Sequence, residues 1–167
     1  MTIDEYIEYY REKGYIMAMR EHVGHAPIMS CACGVIIENS NGEILLQKRR
    51  DNGRWAIIGG SMEMGETFEE AVKREAKEES GLILGKLEMF KLLSGRDRII
   101  EYPNGDVTFG PGIVFLTKEF SGEIVNDPEE VMEHRFFKHT ELPADLNKFD
   151  SDIILEWAAG KAKEKRG

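Results

Sequence analysis

Glu75, Glu78 and Glu79 lie within five positions of the stretch REAKEESGL, residues 74–82. On a helix they stand at i, i+3 and i+4, where like charges face one another and weaken the helix. Carboxylates so placed must protonate, pair with positive charge or bind a cation. Arg74 is one nearby positive charge, and Lys77 points elsewhere. One arginine does not neutralise several acids. A hard divalent cation does, and Mg²⁺ takes a few carboxylates together with substrate phosphates. The competing interpretation is an acidic, solvated helix face, the usual meaning of a charge run.

Helical periodicity bears on both readings without deciding between them. With Phe68 at zero and about 100° per residue, Val72 falls near ~40°, Ala76 near ~80° and Ala71 near ~300°. That apolar stripe includes Glu79, near ~20°, and Glu75, near ~340°, with Glu78 at its edge near ~280°. These acids are therefore more than a solvated face. The preceding loop, GGSMEMGE (59–66), adds Gly59, Gly60 and Gly65, which let backbone approach a ligand closely, and a further acid, Glu66.

The segment from Gly60 to Leu82 resembles the Nudix box, G-x5-E-x7-R-E-U-x-E-E-x-G-U, where U is a bulky aliphatic residue. Gly60, Glu66, Arg74, Glu75, Glu78, Glu79, Gly81 and Leu82 fall in register, and the small Ala76 occupies the first U position. Many members carry proline before the paired glycines, where this chain has Ile58. The resemblance implies an α/β/α sandwich around a mixed sheet. It also implies a metal-dependent pyrophosphohydrolase that cleaves a nucleoside diphosphate linked to another group. Mg²⁺ or Mn²⁺ would be held by Glu75, Glu78 and Glu79, with the Gly59 carbonyl as a further ligand. Glu78, Arg74 and an acid from a later loop would form the catalytic set, and Glu66 would pair with Arg74 to hold the loop against the helix. For the loop acid the choice is Glu130 over Glu123, Glu129 and Glu133. Arg49, Arg54 and Gly60 are weaker candidates for contacting substrate. The alternatives are a protein of this fold that binds a nucleotide derivative without turnover, and a structural cation site in a non-enzyme.

Other residues are less specific. Trp55 fits either a base-stacking surface or the core. His134 and His139 have no partner visible in the sequence. Cys31 and Cys33, two apart on an expected strand, should share a face, and with His22 and His25 they offer at most a poor zinc spacing.

The elements that must position the box follow from periodicity. A helix is expected over residues 3–20 and a strand over 28–38. Further strands are expected at 43–49, 55–58, 82–94, 96–102, 107–118 and 131–138. Thr67-x-x-Glu70 is a capping box that opens the central helix, and Gly81 closes it. YPNGD (102–106) makes a hairpin that could reach over the site. A last helix is expected from 149 to 159. The domain plan is an added N-terminal helical extension (1–25), a catalytic domain (26–160) and a flexible tail (161–167).

The net charge of −9 over 167 residues argues against a nucleic-acid polymer as partner and against an anionic membrane surface. It leaves room for a small nucleoside diphosphate derivative, and a homodimer stays open. The charged N-terminus lacks the apolar centre of a signal peptide, so the expected location is cytoplasmic.

Overall fold

A computed structural model describes residues 1–102 and 104–164. The chain opens with two helices, α1 (Ile3–Lys13) and α2 (Tyr15–Val23), where one was expected. Gly14, at φ 77°, turns the chain between them. The expected first strand is also divided, into β1 (Ile28–Met29) and β2 (Ala32–Ile37). Then follow β3 (Ile44–Arg49), β4 (Trp55–Ala56), β5 (Ile58–Ser61) and α3 (Phe68–Ser80). The second half contains β6 (Ile83–Leu84), β7 (Glu88–Leu93), a 3-10 turn at Arg96–Arg98, β8 (Ile99–Glu101), β9 (Val107–Phe109) and β10 (Gly112–Thr117). It closes with β11 (Phe120–Ser121), β12 (Val131–Phe137) and α4 (Ser151–Glu164).

The central sheet runs β5-β2-β10-β7, with β2 and β10 parallel and the other pairs antiparallel. A second sheet, β12-β3-β4, is joined to it through the Glu38–Ile44 bridge. Alternation along β2 sorts the two cores. Cys33, Val35 and Ile37 face Ala71, Val72 and Ala76 of α3. Ile36 faces Ile153, Ile154 and Trp157 of α4. Two helices thus cover opposite faces of a mixed sheet, the sandwich expected from the sequence. Each fully buried aliphatic side chain in these layers contributes about 2 kcal/mol.

Two departures matter for the site. The expected glycine loop begins as strand: Gly59 and Gly60 pair with Gly34 and Cys33 of β2. A Cβ on Gly59 would lie 2.2 Å from the Cys33 carbonyl oxygen, so only glycine allows that pairing. The last helix continues to Glu164, past the expected end at 159, because Lys161 reaches back to the buried Glu38 at 3.0 Å. Residues 165–167 of the expected tail, and Pro103 of the expected hairpin, lie outside the described residues. Cys31 is exposed between β1 and β2 while Cys33 is buried, so the two cysteines do not share one environment as their spacing suggested.

Candidate active site

Helix α3 begins where the sequence marked it. The Thr67 side chain accepts from the Glu70 backbone N–H at 3.2 Å, and Glu70 returns a bond from the Thr67 N–H at 2.8 Å. The Gly81 N–H, in left-handed conformation, closes the helix on the Lys77 carbonyl. Between these caps the helix presents its acids to the edge of β5.

Glu79 is 4% exposed. One carboxylate oxygen accepts from Gln47 Nε2 at 2.9 Å and from the Gly59 N–H at 3.3 Å. Burial pushes its carboxyl up to about 8, with the charges of Glu75 and Glu130 adding to the shift. Glu75 is also raised, first by burial, although Arg74 Nη1 donates to it at 2.8 Å. Its carboxyl lies against Gly60: a Cβ there would fall 2.5 Å from the carboxyl carbon. The second glycine therefore makes room for a glutamate, while the first makes room for a strand.

Arg74 stands among the acids. It donates to both oxygens of Glu66, at 2.7 and 3.0 Å, to the Ser61 carbonyl at 3.0 Å and to Glu78 at 3.2 Å. Its hydrogen bonds to Glu66 hold the Glu66 carboxyl below the usual range. The Glu66–Arg74 pair joins the box loop to the helix. Among the described residues, no three His, Cys, Asp or Glu side chains stand close enough to hold an ion as they are. Arg74 instead shares its guanidinium among Glu66, Glu75 and Glu78. The donor set still fits a hard divalent ion. Glu75 and Glu79 are carboxylates whose proton affinity is raised first by burial, with neighbouring acids adding to it, and oxygen donors of this kind suit such an ion.

Glu130, on the exposed loop before β12, is near enough for its charge to act on both Glu75 and Glu79. Glu133 pairs with Arg135 on the strand face opposite His134 and is turned away. Glu129 caps the turn at Asp127 through its backbone. Arg49 forms a two-pronged pair with Asp51, at 3.0 and 2.9 Å, and lines a cleft on the α4 side of β5. Arg54 is exposed and does not line it. Trp55 is core: it is buried, with Phe137 edge-on at 4.8 Å.

The cleft also contains residues the sequence reading missed. Its floor includes Gly34, Gly59 and Gly60, and its walls include Arg98, Tyr102 and Asp150. Asp150 precedes α4, and burial pushes its carboxyl up to about 7 against the opposing charges of Arg49 and Arg98. Ile16, from α2, closes one side. Gln47 was missed too. A polar residue at an inward position of the strand ILLQKR was the available signal.

Comparison with known proteins agrees with this geometry. The NUDIX domain profile matches residues 31–157. An ADP-ribose pyrophosphatase from Methanocaldococcus jannaschii is 41% identical over 124 residues, covering 72% of this chain and 68% of that protein. An NAD-capped RNA hydrolase NudC from Escherichia coli is 32% identical over 113 residues, covering 66% of this chain but only 40% of that protein. The crystal structure of a MutT NUDIX hydrolase from Burkholderia pseudomallei superposes with a TM-score of 0.66 at 30% identity, covering 78% of this chain and 98% of that one. A relative named for capped RNA qualifies the expectation, drawn from net charge, that no nucleic-acid polymer is involved. Among the described residues, no helix is long and apolar enough to cross a membrane.

Proposed function

This chain belongs to the Nudix family, hydrolases of phosphoanhydride bonds, and on that premise we propose that it uses Mg²⁺ or Mn²⁺ to cleave a small nucleoside diphosphate derivative. The observation that carries this reading is the pair of desolvated carboxylates of α3 against the Gly59–Gly60 edge, Glu75 bonded to Arg74 and Glu79 to Gln47 and the Gly59 N–H. Glu75, Glu78, Glu79 and the Gly59 carbonyl would hold the ion. When bound, it neutralises phosphate charge and lowers the proton affinity of a water molecule for attack at phosphorus.

The chain's own groups do the rest. Gly60 makes room for the Glu75 carboxyl against the β5 backbone, which holds that acid beside the Gly59 carbonyl. Arg74 and Glu66 keep loop and helix in register and balance charge as the acids reorient. The Glu130 carboxylate accepts the proton of the attacking water. The cleft on the other side of β5 receives the nucleoside end, with Arg49 and Arg98 as positive charge and Asp150 as a hydrogen-bonding carboxyl. The complete set of acids favours turnover over binding without cleavage.

The similarity to an ADP-ribose pyrophosphatase makes ADP-ribose the first substrate to test. Hydrolysis should give AMP and ribose 5-phosphate, with one oxygen from labelled water in one of the two phosphates. Turnover of NAD-capped RNA in preference to ADP-ribose would move the assignment to that substrate. Cleavage of neither, nor of any other nucleoside diphosphate derivative, would overturn the reading.

A further inference from the structure

Gln47 is 1% exposed, and its side chain has two different ends. The Nε2 end donates to Glu79. The Oε1 end is buried and accepts nothing within the described residues. An unsatisfied buried acceptor costs about 1–3 kcal/mol, so such a group calls for a partner.

His134 stands directly across from Gln47 in the antiparallel pairing of β12 and β3. Opposed residues on one face have Cβ atoms roughly 5 Å apart. The His134 ring has its own asymmetry. Nδ1 lies 2.7 Å from Asn126 Oδ1, which can only accept, so Nδ1 carries the hydrogen. Nε2 is then a bare acceptor, and it too is buried without a partner among the described residues. Burial pushes the ring's proton affinity down to about 4, which keeps it neutral. Two acceptors cannot bond each other. A water molecule has two hydrogens and satisfies both, the usual role of a buried water between polar groups.

We propose that His134 is a positioning residue for the carboxylate site: through one buried water shared with Gln47 Oε1, it locks the Gln47 amide with its N–H end toward Glu79. Rotated the other way, the amide would turn its oxygen on Glu79 and repel the ionised carboxylate that a metal ligand must be. Asn126 fixes the histidine, the histidine and water fix Gln47, and Gln47 fixes Glu79. Asn126 belongs to the segment that also packs on the end of α3, where the Val125 and Asp127 N–H groups donate to the Ser80 and Glu79 carbonyls. The chain of contacts thus ties the loop that carries Glu130 to the helix that carries Glu79. This inference rests on the proposed role of Glu79 as a metal ligand.

The test is a double-mutant cycle read by Mn²⁺ calorimetry and by kcat and KM at saturating metal. His134→Phe removes the acceptor. It should weaken Mn²⁺ binding on the order of tenfold and lower kcat without raising KM, the usual scale for a partner behind a ligand. His134→Gln, which restores an acceptor, should recover most of both. In a Gln47→Ala background His134→Phe should have no further effect. Equal losses from His134→Phe in both backgrounds, or unchanged Mn²⁺ affinity in His134→Phe, would overturn the proposal. If the phenylalanine variant does not fold, wild-type protein still decides. NMR should show a long-lived water next to the Gln47 side-chain amide, and a dry amide would overturn the proposal. Wild-type protein that binds no Mn²⁺ would instead refute the metal site itself, a separate outcome.

Discussion

Glu79 is the residue whose chemistry and burial are most at odds, and the conflict makes it testable. Glu79→Gln keeps the shape and removes the charge. With the fold intact by circular dichroism, kcat should fall by roughly two orders of magnitude or more. Glu78→Gln should behave similarly, although its carboxyl is more exposed. Asp150 offers a second test through pH. Its folded value is raised from 3.8 to about 7. The folded state therefore holds its proton more tightly than the unfolded chain. The resulting stability is complete below about pH 4 and is lost as pH rises through 7. Asp150→Asn should match wild type in melting temperature near pH 4, where the native carboxyl is protonated and neutral like the amide, and become relatively more stable by pH 8.5. Parallel pH profiles for the two proteins would contradict this. The acids of the box were legible in the sequence because three charges on an apolar stripe have few explanations. Gln47, Asp150 and Arg98 were not, because each is brought to the site by pairing between distant segments rather than by local spacing.

At the scale of elements, the two glycines of β5 separate structure from function. Gly59→Ala places a methyl group 2.2 Å from a backbone oxygen of β2, which cannot move without breaking the pairing. It should lower the melting temperature markedly. Gly60→Ala collides at 2.5 Å with the end of the Glu75 side chain, which can swing aside. The Gly60 variant should fold nearly as well as wild type and lose activity through displacement of Glu75. If both variants lost stability equally, the distinction would fail. Helix α3 was readable to its caps because capping box, periodicity and closing glycine agree. The first strand and the first helix were read as single pieces because periodicity does not register a break. Gly14 and the Ser30–Cys31 step make those breaks. The glycine strand was read as loop because two glycines in a row have poor strand propensity; the close approach of β2 explains Gly59, and the Glu75 carboxyl explains Gly60.

The whole molecule adds the N-terminal extension to this site. The Arg11 Nε donates to the Met64 carbonyl at 2.9 Å, and Glu63 accepts from the Tyr15 N–H at 3.2 Å. Arg20 donates to the Gly24, Ala26 and Val107 carbonyls at 2.9, 2.6 and 2.8 Å. The two helices thereby fasten the box loop and the β8–β9 hairpin, whose Tyr102 lines the cleft with Ile16. Arg20→Ala removes three bonds from a charged donor and should cost about 2 kcal/mol, seen as a lower melting temperature. Ile16→Trp should narrow the cleft and raise KM with kcat nearly unchanged. The sequence marked the extension as an addition, but its contacts with the cleft depend on long-range docking that no local pattern encodes.

The most direct test of the central claim is phosphomonoester release from a panel of nucleoside diphosphate derivatives, in Mg²⁺, in Mn²⁺ and in EDTA, with Glu79→Gln alongside. The account predicts turnover of one class that needs the metal and collapses in the variant. Turnover that survives EDTA, or an unimpaired Glu79→Gln protein, would contradict it.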